Sequence, residues 1–131
     1  MTLGVRGLVT DAEGRVLLVR HTYTDGWHLP GGGIEHGETA IESIKRELVE
    51  EGGVEAVRLH IVGFYSNHAR FKNDHVTFYR VDEWRPCPPR VDNEIAERGF
   101  YALHALPADV TPGTRRRLAE VFDGAPMSEV W

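Results

Sequence analysis

The stretch from Pro30 to Gly53 leaves the chain few options. Three glycines, Gly31 to Gly33, follow Pro30 directly. No regular element is expected through Trp27-His28-Leu29-Pro30-Gly31-Gly32-Gly33, because proline and glycine together interrupt helices and strands. A bare backbone of this kind suits a segment that must approach another group closely. A helix then begins at Thr39. Thr39-Ala40-Ile41-Glu42 has the form of a capping box, with Thr39 as N-cap and Glu42 at N3. Ile41, Ile44 and Leu48 recur at helical spacing. Gly52-Gly53 supplies a left-handed stop. The last turns of this helix carry Glu47, Glu50 and Glu51.

Those carboxylates are badly placed for a helix alone. At about 100° per residue, with Glu47 at zero, Glu50 lies near −60° and Glu51 near +40°. Ile41, Ile44 and Leu48 fall between about +60° and +120°. The acids therefore stand beside the apolar stripe, at the margin of the core. Like charges at i,i+4 cost about 0.2–0.5 kcal/mol per pair. The negative end of the helix dipole adds a similar penalty, and partial burial strengthens both. A divalent cation reverses every one of these signs, and hard oxygen donors select Mg2+ or Mn2+. Geometry alone also allows a solvated acidic face, with Arg46 neutralising one carboxylate.

The rest of the chain frames this helix. Residues 3–10 and 15–20 read as a hairpin-like pair of strands around the turn signal Asp11-Ala12-Glu13-Gly14. Residues 57–66, 74–82 and 94–103 read as strands, 68–74 as a polar connection and 84–92 as a proline-rich loop. Thr111-Pro112 opens a second helix, with Leu118, Val121 and Phe122 as its inner face. Strands, helix, strands, helix is the order of an α/β or α+β layered domain.

Composition narrows the partners. At 131 residues the chain is expected to be one domain, residues 1–131. A formal net charge of −5 argues against a nucleic-acid surface. No apolar run approaches a membrane span, and the first residues do not resemble a secretory signal. Cys87 is the one cysteine, so no internal disulfide forms, and a cytoplasmic setting is expected. The seven histidines show no HExxH pattern, so a zinc hydrolase is not indicated. Arg115-Arg116-Arg117 is expected to be a solvated face, with Arg116 pairing Glu120.

From Gly32 the chain continues with five residues to Glu38, seven more to Arg46-Glu47-Leu48, then Glu50-Glu51 and Gly53-Val54. This resembles the Nudix box, G-x5-E-x7-R-E-U-x-E-E-x-G-U with U aliphatic, at every defined position. The resemblance implies a Nudix-type α/β/α sandwich, with a mixed β-sheet between helices. It implies Mg2+-dependent hydrolysis, with Mn2+ as an alternative, of a nucleoside diphosphate linked to another moiety. That class includes nucleoside triphosphates, nucleotide sugars and dinucleotides. Glu47, Glu50 and Glu51 match the family's metal ligands, and the Gly32 carbonyl matches a further one. Arg46 matches the arginine that orients the glutamates. Glu38 and Gly53 match supporting positions of the box.

Chemistry and resemblance point the same way, since a pyrophosphate repels hydroxide until a metal ion neutralises it. Some members take their general base from a later loop or strand, and Glu94 and Glu97 are the candidates here for a base or an extra ligand. Arg20, His28, Phe71 and Tyr79 are candidates for substrate contact. Phe64 and Tyr65 are further aromatic faces, and Arg6 and Arg70 further phosphate partners. Gly99 stands where many members carry a tryptophan, and Ala69 where ADP-ribose pyrophosphatases carry a proline. The expected partner is a nucleotide-type small molecule, with no membrane or nucleic acid, and a homodimer is compatible with the family. The rival reading is a non-catalytic Nudix-fold nucleotide sensor. Such modules usually lose a box glutamate, and this box is intact.

Overall fold

The computed structural model describes residues 1–90 and 94–131. The elements run β1 (Thr2–Leu8), β2 (Val16–His21), β3 (Trp27–His28), β4 (Gly31–Gly33) and α1 (Ala40–Gly52). They continue with β5 (Val54–Ser66), β6 (Asp74–Pro86), β7 (Ile95–Tyr101), a 3-10 turn at Leu103–Ala105 and α2 (Pro112–Phe122). Strands β4-β1-β6-β5 form a mixed sheet, in which β1 and β6 are parallel and the other neighbours antiparallel. Strands β3-β2-β7 form a second, antiparallel sheet.

Period-two alternation splits the core into two layers. Val5, Leu17, Tyr79 and Val81 gather with Ile44 and Leu48 of α1. Leu8, Leu18 and Phe78 gather with Leu118 of α2. Neighbouring residues of one strand thus feed opposite faces, and the sheets lie between the two helices. This is the expected α/β/α sandwich, with the strands divided between two sheets. Gly7 brings α1 close, since a Cβ there would meet Ile44 Cδ1 and Leu48 Cδ2 at 3.2 Å.

Four local expectations change. The pair of strands at 3–10 and 15–20 is a corner between two sheets, joined at the Thr10–Val16 bridge. β1 finds its partners in β4 and β6, which leaves β2 to pair elsewhere. The segment 27–33 contains two short strands. Gly31–Gly33 can pair with Gly4–Arg6 because a Cβ on Gly31 would lie 2.0 Å from the Val5 carbonyl. β6 runs on to Pro86, held by Val54 and Ala56 of β5, so the loop begins later than residue 84. In α1, Ile41 is 48% exposed. The buried arc holds Ser43, Glu47, Glu51, Ile44 and Leu48, which spans about −40° to +100° on the wheel and leaves Ile41 outside.

The basic run on α2 also differs. Arg117 is fully buried, pairs with Glu120 at 2.8 Å and lies 3.9 Å from the Tyr65 ring. Arg116 instead donates to the Trp131 carbonyl.

Candidate active site

The capping box forms as its sequence demands. Glu42 N–H donates to Thr39 Oγ1 at 3.1 Å, and Thr39 N–H donates to Glu42 Oε1 at 2.9 Å. At the other end Gly53 adopts φ 65°, and its N–H returns to Val49 O at 3.2 Å. These two caps set the rotation of α1, and the rotation sends its acids toward β4.

Arg46 is the hub of the cluster. It grips Glu38 with a two-pronged bond, Nε to Oε2 at 2.6 Å and Nη2 to Oε1 at 3.0 Å. Its Nη1 donates to Glu47 Oε1 at 2.9 Å and Glu50 Oε2 at 3.3 Å. Nη2 also reaches the Gly33 carbonyl at 3.3 Å. The guanidinium holds the Glu38 carboxyl down at about 2. Arg90 donates to the second oxygen of Glu50 at 2.9 Å.

Glu47 and Glu51 are 9% and 6% exposed. They sit at the centre of the buried arc, deeper than the expected margin. Burial first, then the charge of Glu51, pushes Glu47 up to about 7. Both reach the glycine strand. A Cβ on Gly32 would lie 2.5 Å from Glu47 Oε1, so only glycine leaves room for that carboxylate. Gly31 N–H donates to Glu51 Oε1 at 3.0 Å, and His21 Nε2 lies 2.9 Å from Glu51 Oε2.

These residues fit a hard divalent ion. Two buried, mutually repelling carboxylates flank a glycine backbone whose carbonyl is a further oxygen donor. Among the described residues no three Asp, Glu, His or Cys side chains form a ready-made metal cluster. In the arrangement seen here Arg46, Arg90 and His21 hold the carboxylate oxygens.

A cleft of about 710 Å³ opens beside this cluster. It is lined by Gly31–Gly33 and His21, by Gly113, Thr114 and Trp131, and by Arg70 and Phe71. Arg6 lies along it and donates to the Leu29 carbonyl at 2.8 Å. His28 lines it too, and desolvation, then the charge of Arg6, lowers its imidazole to about 4. A neutral ring is therefore present at neutral pH.

The other candidates divide. Phe71 is 55% exposed in the cleft lining, where substrate can reach it. Tyr79 is buried in the α1 core layer and does not line the cleft, because its place in the β6 alternation turns it inward. Tyr65 is equally buried, and Phe64 stacks on His75. Arg20 pairs with Glu97 at 2.6 Å and borders a separate depression of about 520 Å³ with Thr24 and Asp109. Glu94 accepts Thr22 N–H through its main-chain carbonyl at 2.9 Å. Neither Glu94 nor Glu97 lines the cleft. His21 and Trp131 were not anticipated. Period two from Leu17 puts His21 on the face toward α1, a signal available in the sequence. Trp131 is brought in only by tertiary contacts at Ser66 and α2.

An acidic helix laid under a glycine strand, in a sheet sandwich with an adjoining cleft, defines the class. The NUDIX domain profile matches residues 1–121, and the chain belongs to the Nudix hydrolase family. It is similar to an RNA pyrophosphohydrolase of Erwinia tasmaniensis, 35% identical over 124 residues, covering 95% of this chain and 67% of that protein. The chain thus spans about two thirds of that relative's length. The MutT NUDIX hydrolase from Burkholderia pseudomallei superposes with a TM-score of 0.77 at 25% identity, covering 92% of this chain and 97% of its own. An ADP-ribose pyrophosphatase from Streptococcus suis shares the fold, with a TM-score of 0.68 at 24% identity over 99% and 96% of the two chains.

Proposed function

We propose that this Nudix hydrolase, acting as one domain, is a Mg2+-dependent pyrophosphohydrolase of nucleotide-type small molecules. The observation that carries the reading is the pair Glu47 and Glu51, buried under the Gly31-Gly32 backbone and backed by Arg46. Glu47, Glu50, Glu51 and the Gly32 carbonyl would hold the ion, and Mn2+ would serve in its place. When bound, the ion neutralises phosphate oxygens and favours water as the nucleophile.

The chain's own residues do the rest. Arg46 keeps Glu47 and Glu50 in register from behind, with Glu38 as its anchor. Arg6 and Arg70 border the cleft where phosphates enter, and Phe71 and His28 offer contact surfaces for the remainder of the substrate. Water attacks phosphorus, the P–O bond of the anhydride breaks, and the water's proton passes to a carboxylate. Glu94 and Glu97 are the candidates for that base outside the box. Both stand outside the cleft lining, and Glu97 is paired with Arg20 at 2.6 Å. Arg20 stays a candidate contact on the neighbouring depression. The unpaired Cys87 supports a cytoplasmic location. No helix among the described residues is long and apolar enough to cross a membrane.

A panel of nucleoside triphosphates, nucleotide sugars, dinucleotides and 5′-triphosphorylated RNA, each with Mg2+ or Mn2+, tests the reading. Release of mononucleotide or phosphate from a small-molecule member is the expected result. Full-rate turnover by a Glu47→Gln, Glu51→Gln double variant would sink the site assignment. Turnover of none of them would favour a nucleotide sensor.

A further inference from the structure

The Glu51 carboxylate is held at both oxygens. Gly31 N–H takes Oε1 at 3.0 Å and His21 Nε2 takes Oε2 at 2.9 Å. Imidazole and carboxylate are nearly sealed from water, 4% and 6% exposed. The other ring nitrogen, His21 Nδ1, is buried with no hydrogen-bond partner among the described residues. That asymmetry decides where the ring's proton sits. At Nε2 it makes a charge-assisted bond to the carboxylate; at Nδ1 it would be a buried, unpaired donor.

The pair also joins two parts of the fold. His21 ends β2, in the antiparallel sheet, and Glu51 lies in the last turn of α1. Among the described residues, the Tyr23 ring at 5.1 Å and the His28 ring at 5.5 Å face the imidazole beside the Glu51 carboxylate. Arg46, which steadies Glu38, Glu47 and Glu50, makes no bond to Glu51 among the described contacts. Glu51 therefore takes its orientation from a different source than its two partners do.

We infer that His21 is a positioning residue for this site: its Nε2–H, with Gly31 N–H, fixes the Glu51 carboxylate and leaves its remaining lone pairs for the divalent ion. The inference rests on the proposed metal-dependent reaction. Nothing in the box specifies it, because His21 lies eleven residues before Gly32.

Two substitutions of similar polarity separate positioning from packing. His21→Gln keeps an N–H near the place of Nε2, and His21→Asn draws it back out of reach. Mn2+ binding, followed by electron paramagnetic resonance, and steady-state kinetics on the best panel substrate are the readouts. Asn should lower Mn2+ affinity and kcat by about 10–100-fold with KM unchanged, and Gln should restore most of both. Nitrogen-15 NMR of the wild type should show a proton on His21 Nε2. Equal behaviour of Gln and Asn, or a bare Nε2, overturns the inference. If the wild type neither binds Mn2+ nor turns over any nucleotide, the underlying reading of the site fails first, and the inference falls with it.

Discussion

At the scale of single residues, Arg46 organises more of the site than any glutamate does. One planar guanidinium meets Glu38, Glu47, Glu50 and the Gly33 carbonyl at once. A lysine is a point charge and cannot reproduce that fork. Arg46→Lys should therefore lower metal affinity or kcat by about 10–100-fold while the protein stays folded, measured by Mn2+ titration and steady-state kinetics. Glu38 gives a second, separable readout. Arg46 holds it at about 2, below its ordinary 4.5. A carboxylate depressed in the fold stabilises the protein fully above its unfolded value. That contribution is lost as pH falls from about 4.5 through about 2, because the unfolded chain takes up its proton first. Denaturant midpoints of the wild type should thus fall more steeply across this window than those of Glu38→Gln. Parallel curves would show that the Arg46–Glu38 fork contributes nothing to folding.

At the scale of elements, the site is a contact between one helix and one very short strand. β4 works because it is made of glycine. Gly32→Ala would drive a methyl into Glu47 Oε1, where the ideal Cβ lies at 2.5 Å, and the carboxylate must swing away. Metal affinity should fall at least as far as in the Arg46 variant, with the circular dichroism spectrum retained. Gly53→Ala tests the other end of α1. Its φ of 65° and the Cys87 carbonyl 2.9 Å from an ideal Cβ both resist a side chain. A stability loss of about 1 kcal/mol or more is expected from denaturant unfolding. The helix, both of its caps and its acids were legible in the sequence, because each follows from local residue chemistry. Strand partners were less legible. Residues 3–10 and 15–20 look like a hairpin locally, yet β1 pairs with β4 and β6, and those pairings depend on segments far along the chain. Ile41 looked like core on spacing alone; the buried arc is centred on Glu47 and Glu51, which a hydrophobic pattern treats as its edge. Tyr79 carried an aromatic ring suited to substrate, and its strand position hid it.

At the scale of the whole molecule, the buried acid pair is an unfavourable feature that folding has to carry. Glu47 and Glu51 are desolvated together, and their repulsion helps push Glu47 up to about 7. Packing from both helices and both sheets, along with Arg46 and His21, holds them in place regardless. An ion that binds only the folded state removes that repulsion and must raise stability by mass action. The gain is about 2.7 kcal/mol when free Mg2+ stands at a hundred times its dissociation constant. For a domain of this size each kcal/mol shifts the melting midpoint by several degrees, so the effect is large enough to see in a thermal scan. Millimolar Mg2+ should therefore raise the midpoint in a concentration-dependent way, and Na+ at matched ionic strength should not. Glu51→Gln, which removes one of the two repelling buried charges, should gain much less from Mg2+ than the wild type does. A wild-type midpoint that does not move with Mg2+ or Mn2+, or a Glu51→Gln variant that responds as fully as the wild type, would mean that these carboxylates do not hold the ion.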